Sequence, residues 1–170
     1  MNQPATTPHV PFSAAMLERF AREVAKFPAT QKQSAVMACL TIVQQERSWV
    51  SRDSEDEVAA YLGMAPIAVY EVTTFYNMYN QQPVGKFKIN VCTNLPCQLR
   101  DGQQAIAHIC SKLGVAVGGT TADGQFTVQQ SECLGACADS PVMLINDREM
   151  ISFMSNDRID DLLDTLAQAK

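Results

Sequence analysis

Two pairs of cysteines constrain this chain more than any other feature: Cys92 and Cys97 in CTNLPC, and Cys133 and Cys137 in CLGAC, with 35 residues between the pairs. Each pair follows a run that reads as a β-strand, so two loops at neighbouring strand ends can carry four sulfurs to one place. Four thiolates are the usual ligand set of a 2Fe-2S cluster, and soft thiolates suit zinc equally well, so ligand type alone leaves both open. Spacing bears on the choice. Zinc ribbons repeat a tight two-to-four-residue knuckle on both sides. Here TNLP lies at the long end of that range and carries a proline beside Cys97. Gly135, inside the second loop, is free to adopt positive φ, which lets backbone N–H groups aim at sulfur and stabilise a more negative, reduced site.

A disulfide framework fits poorly. The start, MNQPATTPHVPF, has neither the basic end nor the apolar run of a secretory signal, and no stretch approaches the ~18 apolar residues of a membrane span. A cytoplasmic location is therefore expected, where thiols stay reduced. The remaining cysteines, Cys39 and Cys110, lie among apolar neighbours in helical patterns and read as packing. A Rieske-type centre would need two histidines beside the cluster, whereas His9 and His108 lie elsewhere.

The charges are counted easily. Two ferric ions and two sulfides leave a double positive charge, and four thiolates turn it double negative, triple after one electron. Glu132 and Asp139 beside the second pair, with Asp101 after the first, add to this, so a low reduction potential is expected, tempered by N–H donors.

The rest of the sequence reads as an α+β chain. Residues 1–11 are polar with three prolines and are expected to form a loose arm. Four helices are expected next: Ser13 to Phe27, Gln31 to Ser48, one opened by a Ser54/Glu57 capping box and closed near Gly63, and PIAVYEVTTFYNMY opened by Pro66. After the turn-like QQPVGK, the strands KFKINVC, FTVQQSEC, PVMLIND and EMISF interleave with helices over Asp101 to Leu113 and Asn156 to Ala169, the order of a small α/β sandwich.

Other functions find little support. EVAAYLGMAPIAVYEV has helix-turn-helix spacing, but Pro66 to Asn80 contains no lysine or arginine, and with a net charge of −5 a nucleic-acid partner is not expected. GVAVGGTTADG lacks both nucleotide-loop fingerprints and reads as turns. No catalytic motif stands out, and no independent active site is expected. Of the aromatics near the fourth helix and Met78 among them, Tyr70 and Phe75 read as core, while Tyr76, Met78 and Tyr79 divide evenly between core and docking surface.

VTTFYNMYNQQPVGKF, the two cysteine pairs with their separation, and GQFTVQQSECLGACADSPVMLIND resemble the 24 kDa (E-type) subunit of respiratory complex I, the NADH:quinone oxidoreductase, over nearly the whole chain. The resemblance implies an N-terminal helical bundle (12–82) followed by a thioredoxin-like α/β ferredoxin domain (83–170). It implies one 2Fe-2S cluster, with Cys92 and Cys97 on one iron and Cys133 and Cys137 on the other. It also implies a flavin-bearing (F-type) partner subunit holding FMN and NADH, and a peripheral place on the cytoplasmic side of the inner membrane without insertion into it. A second copy of the chain is a candidate partner for the isolated protein. Two alternatives stay open at this point: a zinc-stapled, non-redox interaction module, and the equivalent diaphorase subunit of an NAD-linked hydrogenase or formate dehydrogenase.

Overall fold

A computed structural model describes residues 10–169. The expected N-terminal arm falls mostly outside these described residues. The chain divides into two compact units that meet at Pro83 and Val84, each with its own core.

The first unit is helical. In α1 (Ala14–Val24), Ser13 caps the start by accepting from the Met16 N–H at 3.2 Å, and Met16 and Phe20 turn inward. Phe20 is fully buried, with Phe12 and Tyr61 edge-on at ring-centroid distances of 5.2 and 5.3 Å. The expected second helix is broken. A 3-10 stretch, Ala29–Ala35, precedes α2 (Val36–Arg47), and Gln31 leaves helical geometry at φ −121° and ψ 32°. The polar run QKQS offers no apolar stripe to hold an α-turn against the core. Its Lys32 instead reaches the Tyr61 carbonyl and lies over the Tyr61 ring.

α3 (Arg52–Leu62) starts earlier than the Ser54/Glu57 box suggests. The cap is Ser51, whose Oγ accepts from the Ser54 N–H at 3.2 Å. Ser54 is already inside the helix, its hydroxyl receiving the Arg47 guanidinium at 2.8 Å. Gly63 ends α3 in left-handed geometry, and Pro66 opens α4 (Pro66–Phe75) at its first turn. Beyond Phe75 the chain leaves the helix so that Tyr79 can bury its ring and donate its hydroxyl to the Met37 carbonyl at 3.0 Å. The Asn80 N–H then reaches Gln44 Oε1 at 2.6 Å. Consequently Tyr79 is core, whereas Phe75, expected inside, is 79% exposed and stacks edge-on with Tyr76.

Cys39, on α2, is fully buried, and removal from water pushes its thiol up to about 12. The neutral thiol is therefore favoured in the fold. The unfolded chain ionises it near its ordinary value, so this stabilisation is complete below that value and is lost as pH rises toward the folded one. Native protein treated with iodoacetamide at mildly alkaline pH should leave Cys39 unmodified, and unfolding should expose it. Cys39→Ala should flatten the alkaline limb of the stability profile.

The second unit is a four-stranded sheet of order β2-β1-β3-β4, built from β1 (Phe87–Cys92), β2 (Phe126–Ser131), β3 (Met143–Ile145) and β4 (Glu149–Ile151). β1 runs parallel to β2 and antiparallel to β3, and β3 pairs antiparallel with β4. A parallel pair needs a crossover, which here includes the one-turn helix α5 (Leu95–Gln98) and α6 (Gly102–Leu113). After β4 comes α7 (Asn156–Gln168). Ala105, Ile106 and Ile109 of α6, with Ile159 and Leu163 of α7, pack with Ile89, Val91, Phe126, Val128, Met143 and Ile145 of the sheet. Buried Lys88 of β1 reaches Asp147 in the β3–β4 turn at 2.5 Å, and Asn90 donates to the same carboxylate at 2.7 Å. α5 is absent from the sequence reading, because four residues are too few for periodicity to register.

Candidate metal centre

The parallel register sets Cys92, the last residue of β1, opposite Ser131, the last of β2. Both chains therefore leave the sheet at the same end, and the Thr93 N–H donates to the Ser131 carbonyl at 3.1 Å beyond the strands. The first loop enters α5, which carries Cys97, and the second holds Cys133 and Cys137. Asn94 of the first loop donates to Glu132 of the second at 3.0 Å, tying the two together.

Cys92 and Cys97 are buried and pack with Val142, Leu134 and Ala136, while Cys133 and Cys137 are exposed. The Cys133 and Cys137 sulfurs lie 3.9 Å apart. Two thiolates on one tetrahedral metal with bonds of about 2.3 Å sit about 3.8 Å apart, so this pair has the separation of ligands sharing one metal. Cys92 and Cys97 share one buried cluster, and both are near enough to raise the Cys137 pKa electrostatically. Among the described residues no three or more His, Cys, Asp or Glu side chains gather as ligands of a single ion. The four cysteines lie as two sequence pairs on two loops that leave the same end of the sheet.

Local hydrogen-bond donors reach the sulfurs of Cys133 and Cys97. Gly135, at φ 82°, directs its N–H to Cys133 Sγ at 3.4 Å, as expected for a glycine in that loop. Burial pushes the Cys97 thiol up, but hydrogen bonds involving Ser140, Cys92 and the Val142 backbone outweigh it and bring its pKa down. Burial dominates at Cys92 and raises it. Cys137 is raised first by its hydrogen bond with Cys133, then by burial and the neighbouring thiols.

Two features of this site escape sequence reading. Ser140 is buried 3.3 Å from Cys97 Sγ, and only its nearness in sequence to Cys137 hinted at it. Gly102, the first residue of α6, presses on the cysteine loops: a β-carbon there would lie 2.8 Å from the Cys97 carbonyl oxygen and 2.9 Å from that of Cys92. Backbone on both sides leaves no flexible atom to yield. Gly102→Ala should therefore cost about 1–3 kcal/mol in denaturant unfolding and lower the iron that the purified chain retains.

Apolar Leu95 and Leu99 stand exposed on either side of Cys97, and Phe153 is exposed after β4. Leu99, Ser140 and Phe153 also line an open depression of about 660 Å³. Among the described residues no helix is long and apolar enough to cross a membrane.

Comparison with known proteins agrees with this architecture. The family model of the thioredoxin-like [2Fe-2S] ferredoxin matches residues 20–167. The chain is 41% identical over 145 residues to the E-type subunit of the NADH-quinone oxidoreductase of Rickettsia conorii, covering 84% of this chain and 86% of that one. Subunit 2 of the Thermus thermophilus enzyme is 35% identical over 146 residues, covering 86% and 81%. The mitochondrial NADH dehydrogenase [ubiquinone] flavoprotein 2 of Dictyostelium discoideum is 40% identical over 142 residues, 82% of this chain and 58% of that longer relative. A chain of an NAD+-reducing [NiFe]-hydrogenase crystal structure shares the fold at a TM-score of 0.69 and 23% identity, over 80% of this chain and 23% of its own. The protein belongs to the thioredoxin-like [2Fe-2S] ferredoxin family, with the E-type subunits of NADH-quinone oxidoreductases as its relatives.

Proposed function

We propose that Cys92, Cys97, Cys133 and Cys137 hold one 2Fe-2S cluster, with Cys92 and Cys97 on one iron and Cys133 and Cys137 on the other. The chain then serves as a one-electron carrier in an NADH:quinone oxidoreductase, exchanging electrons with the FMN of a flavin-bearing, NADH-oxidising partner subunit. The observation that carries this reading is that the two cysteine pairs sit on two loops leaving the same end of the sheet, with the Cys133 and Cys137 sulfurs 3.9 Å apart.

When bound, the cluster supplies one-electron exchange; placement and tuning fall to the protein. Cys92 and Cys97, buried against Val142, keep water from one side of the site. Gly135 and the other backbone donors offset the negative charge on sulfur. Exposed Cys133 and Cys137 leave the other side open to approach, which a carrier with no substrate site of its own requires. Leu95 and Leu99 add apolar surface beside Cys97 of the kind found in the cores of interfaces. The chain would reach the cytoplasmic face of the inner membrane only through the assembled enzyme.

Protein prepared without oxygen tests this directly. A brown chain with two irons and two sulfides, bleached by dithionite and giving a low-temperature EPR signal, is the expected result. A colourless chain with a single zinc would overturn the redox reading. Tagged protein drawn from its native membranes should bring with it a partner that contains FMN and oxidises NADH, and co-purification with a hydrogenase or formate dehydrogenase instead would reassign the holoenzyme.

A further inference from the structure

Ser140 holds a position between the two cysteine pairs that the proposed function leaves unused. It is 1% exposed. Its Oγ lies 3.3 Å from Cys97 Sγ, in the first pair, and donates to the carbonyl of Cys137, in the second, at 2.7 Å. A serine hydroxyl has one proton to give, so it can serve only one of these acceptors fully at a time.

With Cys97 as a thiol there is no conflict, because the S–H donates to Ser140 Oγ while the hydroxyl proton goes to the Cys137 carbonyl. Once Cys97 is a metal-bound thiolate its proton is gone and the sulfur becomes a charged acceptor. A hydrogen bond to a charged acceptor is roughly twice as strong as a neutral one, and more so in a buried setting. The Cys137 carbonyl also has a second donor, the Ser140 backbone N–H at 3.4 Å, so it is not orphaned when the hydroxyl turns away.

We propose that the Ser140 hydroxyl donates its hydrogen bond to Cys97 Sγ in the cluster-loaded protein and thereby raises the reduction potential of the cluster. The inference rests on the four-cysteine 2Fe-2S reading. Reduction adds one electron to a site already negative, with no bond made or broken, and a donor aimed at a ligand sulfur gains strength as that sulfur becomes more negative. Ser140 is therefore a positioning and tuning residue that acts through Cys97.

The test is an EPR-monitored redox titration of the full chain and of Ser140→Ala and Ser140→Thr, with iron and sulfide measured on each sample. Loss of the two irons and two sulfides from the unsubstituted chain would strike at the cluster assignment itself; the midpoint potential of loaded chains addresses Ser140 alone. Expected for Ser140→Ala is a full cluster whose reduction equilibrium constant falls roughly tenfold, about 59 mV toward more negative potential for one electron. Ser140→Thr, which keeps a hydroxyl, should stay close to the unsubstituted value. An alanine variant with a full cluster and an unchanged midpoint would overturn the proposal. Should Ser140→Ala fail to hold iron, the decision passes to resonance Raman spectra of the unsubstituted chain. A shift within the first moments of transfer to D2O in the stretching bands of the iron held by Cys97, as distinct from those of Cys133, which the exposed Gly135 N–H also reaches, supports the hydroxyl donor, and Cys97 bands that stay fixed refute it.

Discussion

Cys97→Ala is expected to purify colourless, with its iron and sulfide gone and no low-temperature EPR signal, and Cys133→Ala should behave in the same way. A methyl group cannot bind metal, so each variant lacks one of the four thiolates. Removing even an outer-shell partner of a metal ligand commonly costs about 10–100-fold in affinity, so loss of a ligand itself should exceed that. Cys39→Ala and Cys110→Ala serve as controls, since both side chains pack in hydrophobic cores that contain none of the four site cysteines and should leave metal content and spectrum intact. Far-UV circular dichroism on all four variants separates loss of the site from loss of the fold. Retention of a two-iron cluster by Cys97→Ala would refute its assignment as a ligand.

Phe20→Ala should have the largest effect on stability alone. Phe20 is fully buried, and its edge-on contacts with Phe12 and Tyr61 contribute beyond the area they remove from water. Truncating a buried phenylalanine typically costs about 3–5 kcal/mol, a large share of the roughly 5–15 kcal/mol that holds a domain together. The hydrophobic core of the second unit shares no residue with that of the first. A single melt followed by far-UV circular dichroism and by visible absorbance should therefore show helix lost early in Phe20→Ala while the colour persists to its usual temperature. Simultaneous loss of both signals would show that the units unfold as one.

What sequence reading captured was the part written in periodicity and in residue chemistry. Ile159 and Leu163 recur at helical spacing and do face the core, Pro66 and Gly63 punctuate the helices as their backbone preferences dictate, and Gly135 adopts the positive φ its loop demands. What it missed depended on long-range partners. Ser54 resembled a cap by local pattern, but the cap is Ser51, because Arg47 engages the Ser54 hydroxyl. Phe75, expected inside, is exposed, while Tyr79, left evenly divided between core and surface, is buried because it finds the Met37 carbonyl, forty-two residues away in sequence. At the site, the cysteine pattern was plain. Ser140 and Gly102 were not, since their importance comes from a hydroxyl meeting one sulfur and a missing side chain meeting two carbonyls.

The side-by-side, same-direction alignment of β1 and β2 also sets a timetable for biosynthesis. A hairpin could have paired neighbouring strands as soon as both emerged, but here the chain must release the whole crossover before Cys92 has Ser131 opposite it. Until Cys137 and Ser140 have left the ribosome, the first two thiols wait without their eventual companions. Delivery of the proposed cluster would therefore belong after translation of the domain, and the nascent segment that carries Cys92 and Cys97 is the stretch on which a protective chaperone or a reducing environment would matter most.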